Sequence, residues 1–223
     1  MESVSSRKIA GYAGIAQVVV FFGLGLTIFD SPDITDSADE VREYFTDSAD
    51  TINLFNYGAP LAFVVFFIIF ASGLRSVLGP ADSASGEMWA RVMFAGAVIQ
   101  AAVGSVGLIF WGVLAQEDIL VDLTDGTVLA LNALDQILFF AMMNWAGALF
   151  VVGASIVILR SSVMATWIGW LGVVLAVAGV VAPLWTFSGD SGGFFEVPST
   201  ISFFGTLVWT VAVSVELIRS RAD

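Results

Sequence analysis

Apolar residues along the chain gather into six stretches of about 20 residues, separated by polar intervals. They cover about residues 9–28, 57–74, 88–114, 133–159, 164–185 and 200–217. Each is long enough to cross the roughly 30 Å hydrocarbon core as a helix. A helix satisfies its own backbone hydrogen bonds in lipid, which an open strand cannot do. The pattern therefore predicts an all-α fold: a polytopic membrane protein with six transmembrane helices, occupying residues 1–223 as a single domain. Six crossings leave no room for a second, soluble domain.

The polar intervals carry their own signals. Ser37-Ala38-Asp39-Glu40 fits a capping box, with a hydroxyl at the N-cap and a carboxylate three residues on. Ala38, Val41 and Phe45 then recur at helical spacing with Tyr44 beside them, predicting a short amphipathic outer helix that lies on the membrane or on the bundle. Pro60 falls near the predicted start of the second span, where proline is tolerated. The run from Leu78 to Gly86 reads as a turn-rich connector, and Gly189 to Ser199 as a Gly/Ser-rich outer loop. Arg7 and Lys8 precede the first span as in a signal sequence, but the apolar run is too long for a signal-peptide core. Phe29-Asp30-Ser31 is no cleavage site, so the span is expected to stay uncleaved.

Charge orients this thread. The chain has eight cationic and 20 acidic residues. Arg7, Lys8, Arg75, Arg91, Arg160, Arg219 and Arg221 all fall in alternate intervals or at their edges, and Arg42 alone falls on the other side. This is the positive-inside pattern of a multi-pass cell (plasma) membrane protein with both termini cytoplasmic. Most of the acids fall outside, including the eight from Asp30 to Asp50. Asp39 and Glu43 stand close enough in sequence to pair with Arg42. So acidic a surface repels nucleic acid, leaving membrane lipids and other membrane subunits as the partners to expect.

Composition narrows the chemistry. Cys and His are absent, which removes disulfides, thiol chemistry and Cys/His metal or haem ligation. The only lysine, Lys8, precedes the first span, so buried-lysine chemistry is excluded.

Two stretches carry a resemblance. Trp167-Ile168-Gly169-Trp170-Leu171-Gly172, just after an arginine-ended span, resembles a run in a family of uncharacterised prokaryotic membrane proteins grouped as a domain of unknown function. The first outer loop, Ser37 to Phe45, is similar to theirs. Ala165 and Thr166 stand where that family usually has a proline. The resemblance implies a six-helix integral membrane fold and no activity, cofactor or site residue.

Polar side chains inside apolar spans are where function or interhelical bonding must lie. Gln17, Gln100 and Asn144 each fall near mid-span, so they can converge at one depth. There they would line a small cavity, or else bond neighbouring helices. Trp145 and Trp209, also mid-span, are candidate walls of the same space. Asp135 is the one carboxylate clearly inside an apolar run on the outer half, a candidate for cation or proton binding at the mouth of an outward cavity. With Asn132 three residues before it, it also reads as a helix cap.

Three functions remain. The first is a non-catalytic accessory or scaffold protein. The alternative is a small solute or ion transporter or channel, which requires the three amides to share a cavity. A lipid-acting enzyme is the third, with Asp135 and the outer acids as its sole plausible group. No catalytic or metal-binding set and no cofactor is assigned.

Overall fold

The computed structural model describes residues 2–26, 28, 31–188 and 193–219. Asp30, Arg221 and part of the predicted Gly189–Ser199 loop lie outside them. The described residues form helices and connecting loops, with no strand among them. Six helices are long and apolar enough to cross a membrane.

The long helices are α1 (Glu2–Gly25), α3 (Ala49–Ala81), α4 (Met88–Leu114), α6 (Asp125–Ser161), α7 (Thr166–Val181) and α9 (Glu196–Arg219). Short helices sit between them: α2 (Ala38–Asp47), α5 (Glu117–Leu120) and α8 (Trp185–Ser188). The long helices pack as a closed ring in chain order, α1 on α3, α3 on α4, α4 on α6, α6 on α7, α7 on α9, and α9 back on α1. Arg7, Lys8, Arg75, Arg91, Arg160 and Arg219 then share one end of the ring, the basic end. The acidic loops share the other.

Glycine sets the closest seam, between α4 and α6. A Cβ at Gly96 would stand 2.5 Å from the Phe150 nitrogen, and one at Gly153 would stand 2.7 Å from the Met93 nitrogen. Small residues of this kind let helix backbones approach in lipid, where packing rather than the hydrophobic effect drives association. The outside of the ring is apolar all round, with Val19, Ile109, Val177 and Val208 each about 60% exposed or more. An apolar exterior of this extent suits lipid and not water.

Three apolar clusters stack along the ring axis. Phe70, Leu74, Met93, Phe150, Ile158 and Trp209 belong to the cluster at the basic end. Phe21, Phe55, Phe63, Leu108 and Phe139 form the middle one. Val41, Phe45, Ile52, Trp111, Leu114 and Val128 close the acidic end. The amphipathic helix α2 thus packs on the bundle, burying Val41 and Phe45 completely. Its capping box forms: the Ser37 hydroxyl accepts from the Glu40 N–H, and the Glu40 carboxylate accepts from the Ser37 N–H at 2.8 Å. The Ser37 hydroxyl and then its N–H, both donating to this carboxylate, hold Glu40 below the usual range.

Several boundaries differ from those the hydropathy predicts. Helix α3 begins at Ala49 rather than near residue 57, which places Pro60 deep inside it. A π-helical segment, Leu61–Phe66, follows at once, and the Phe67 N–H reaches back five residues to the Ala62 carbonyl. Proline has no N–H to donate and its ring crowds the preceding turn, so the helix widens there instead of breaking. Helix α6 begins at Asp125, not near residue 133, with Thr124 as its N-cap accepting from the Thr127 N–H. Asn132 and Asp135 are therefore two to three turns inside the helix and cap nothing. Asn132 Nδ2 instead donates to the Asp33 carbonyl, and Gln136 Nε2 to the Pro32 carbonyl, pinning the first outer loop to α6. Helix α6 also has a π-helical segment, Ile137–Met142, without any proline to announce it.

Arg42 is a further correction. It forms its ion pair with Asp125, at 3.1 Å, and not with Asp39 or Glu43. The local acids point to solvent on the exposed face of α2, whereas the guanidinium crosses to the second outer loop.

Candidate functional site

Between the basic-end and middle clusters lies a chamber of about 60 Å³ to which all six long helices contribute. Gln17 and Phe21 come from α1, Phe63 from α3, Gln100 from α4, Asn144 from α6, Leu175 from α7, and Ser202 and Thr206 from α9. The three mid-span amides named by the sequence thus face one space. The volume is enough for a few water molecules or one small polar group.

Each wall is built differently. Gln17 is 6% exposed, on the inward face of α1. Gln100 lies across Gly147 of α6, where a Cβ would come within 3.1 Å of its Nε2, so the glycine makes room for the amide. Asn144 Oδ1 accepts from the Ser202 hydroxyl at 2.7 Å, tying α6 to α9. Gly179 of α7 lets this pair form, since a Cβ there would stand 3.2 Å from both the Ser202 Oγ and the Asn144 carbonyl oxygen.

Two acceptors in the chamber stand open. Gln17 Oε1 and Gln100 Oε1 are both buried and accept no hydrogen bond. A buried carbonyl left in this state costs about 1–3 kcal/mol, which a bound donor would recover. Among the described residues, none in the lining is ionisable.

Toward the acidic end the chamber adjoins a vestibule of about 310 Å³. Its walls are mainly aromatic, with Phe22, Phe55, Trp111 and Phe204 among them, and Ser31, Ser199 and Thr200 add the few polar groups. Phe21, Phe139, Asn144 and Phe203 line both spaces and so form the partition between them. Phe21 is the centre of that partition, its ring 5.8 Å from Phe203, 6.3 Å from Phe139 and 4.7 Å from Phe63. Phe63 and Phe139 come from the two π-helical segments and meet edge to face at 6.1 Å. The widened turns thus present their rings to each other at the partition.

The two tryptophans stand elsewhere. Trp145 is one residue past Asn144, so it is rotated about 100° away from the chamber. It lines a groove on the outside of α6 and α7, donating to the Val180 carbonyl at 3.3 Å. Trp209 lies about two turns beyond Ser202 toward the basic end and is fully buried. Its Nε1 donates to the Ile168 carbonyl at 3.0 Å and its ring packs edge-on against Phe150. Asp135 is 2% exposed and lines neither space. Its Oδ1 faces Gly107 of α4, within 3.3 Å of where a Cβ would be, and accepts no hydrogen bond.

Sequence reading missed the hydroxyls of α9. Ser202, Thr206, Thr210 and Ser214 recur at every fourth position, a helical stripe visible in the sequence. Ser202 and Thr206 line the chamber, while Thr210 and Ser214 are buried further toward the basic end. Ser214 Oγ has no hydrogen-bond partner and lies against Gly14 of α1. No family model, curated protein or solved structure matches the chain.

Proposed function

We propose that this is a non-catalytic multi-pass protein of the cell membrane, with both termini cytoplasmic, that carries a small neutral solute: a transporter rather than a scaffold. The carrying observation is the convergence of Gln17, Gln100, Asn144, Ser202 and Thr206, from four helices, on one chamber. A scaffold has no use for buried acceptors left open at the middle of the bundle. A solute carrier does, and midplane sites lined by several helices are the usual arrangement for that work. The cation asymmetry supports the orientation, with the vestibule facing outward. The α9 stripe supports passage, because Thr210 and Ser214 extend the polar face beyond the chamber toward the cytoplasmic side.

The absence of cysteine makes the test direct. Thr206→Cys and Ser214→Cys, each in the full chain reconstituted into liposomes, are treated with a small neutral thiol reagent. We expect Thr206→Cys to react with reagent added outside, and Ser214→Cys to be reached only after the reagent passes the chamber. A folded Thr206→Cys protein that never reacts overturns the reading.

A further inference from the structure

Building on that carrier reading, we infer that the ligand is a neutral single-chain amphiphile whose hydrogen-bond-donating head enters the chamber while its apolar body fills the aromatic vestibule.

The two spaces share Phe21, Phe139, Asn144 and Phe203, so one molecule can occupy both. Their chemistry differs sharply along that line. The chamber offers Gln17 Oε1 and Gln100 Oε1 as open acceptors, and Asn144 Oδ1 already receives the Ser202 proton. The missing partner is therefore a donor, such as a hydroxyl or an amide N–H. Among the described residues no ionisable side chain lines either space, so a carboxylate, phosphate or ammonium head would find no counter-charge among them to offset its desolvation. The head is neutral for that reason. The vestibule is walled by Phe22, Phe55, Leu108, Trp111 and Phe204, a surface that favours an apolar chain or ring over a sugar-like solute.

Trp111 in the vestibule wall supplies the readout. The full chain in lipid nanodiscs is titrated with mid-chain-brominated dodecanol, and with the brominated alkane and carboxylate of the same length, since bromine quenches nearby indole. The alcohol is expected to quench saturably, to lose that component in Trp111→Phe, and to slow thiol labelling of Thr206→Cys. Gln100→Leu should weaken its binding about tenfold, near the worth of one buried hydrogen bond. Gln17→Leu, which removes the other acceptor from a different helix, should do the same if Gln100→Leu proves unstable. If the alkane or carboxylate performs as well as the alcohol, the assignment of the head is wrong. If glycerol or urea protects Thr206→Cys while no amphiphile does, the ligand class is wrong and the carrier reading stands. If Thr206→Cys is unreactive in folded protein, the carrier reading fails and this inference falls with it.

Discussion

Arg42 and Asp125, 83 residues apart in sequence, meet at 3.1 Å and join the first outer loop to the second. The same guanidinium donates to the Leu120 and Leu123 carbonyls, both at 2.6 Å. Asp125 is 76% exposed, so the ion pair itself contributes little. The two carbonyl bonds hold the end of α5, where helix carbonyls otherwise go unpaired. Arg42→Ala should cost about 2 kcal/mol, and Asp125→Asn no more than about 0.5. Arg42→Lys should not rescue, because one ammonium cannot span both carbonyls as the planar fork does. Thermal unfolding ranks the three variants, and Arg42→Ala alone should open residues 117–124 to protease.

Asp82 shows the same economy at the basic end. It is buried, and its carboxylate accepts from the Trp89 and Ala90 N–H groups at 2.8 and 3.1 Å and from the Ser85 hydroxyl. Burial opposes its ionisation, but Ser85, the two N–H donors and the charge of Arg160 outweigh it and hold the carboxyl below its usual range. Because the folded value is lowered, the stabilisation is complete above the unfolded value of about 3.9 and is lost as pH falls below it through the folded value. Asp82→Ala should destabilise by about 1–2 kcal/mol at neutral pH. The gap between wild type and Asp82→Asn should narrow only below about pH 4. A constant gap across melting curves from acid to neutral pH would contradict this.

The α4–α6 seam should tolerate no side chain. At Gly96 an added Cβ meets the Phe150 nitrogen and the Ala146 carbonyl oxygen, and at Gly153 the Met93 nitrogen and the Trp89 carbonyl oxygen. These are backbone atoms and cannot swing aside. Gly96→Ala and Gly153→Ala should each cost about 2–3 kcal/mol, the range of overpacked cores. Gly126→Ala, where nothing lies within 4 Å, is the control and should be neutral or slightly stabilising. Denaturation in detergent distinguishes the three.

Ser162 ends α6 in the left-handed region, with φ of 54°. A residue with a Cβ is crowded there, and glycine is not. Ser162→Gly should therefore stabilise the protein, by up to about 1 kcal/mol, read as a rise in melting temperature.

Hydropathy located all six spans because lipid demands long apolar helices, yet it misplaced the acidic-end starts of α3 and α6. The first turns there are polar, at Asp50 and Asp125, and extend beyond the apolar core that hydropathy detects. The capping box of α2 was legible because it is local. The partner of Arg42 was not, since nothing at positions 39–43 points 83 residues ahead. Depth along a helix placed Gln17, Gln100 and Asn144 at one level. Facing decided which neighbours joined them, and rotation by one residue carried Trp145 outside while Trp209 packed below. The α9 hydroxyls were readable at their four-residue spacing, but Ser and Thr are also common between membrane helices, where they bond backbone.

The ring order of the helices bears on how the protein is made. Five of its six seams join helices that follow one another in the chain, and only α1 against α9 brings the two ends together. Synthesis proceeds from the N-terminus, so Gln17 waits in the membrane while every other wall is laid down. Ser202 and Thr206 arrive with the final helix. The chamber therefore comes into being in a single late step, and a chain truncated before α9 would expose its amides sideways to lipid and become a natural target for quality-control proteolysis.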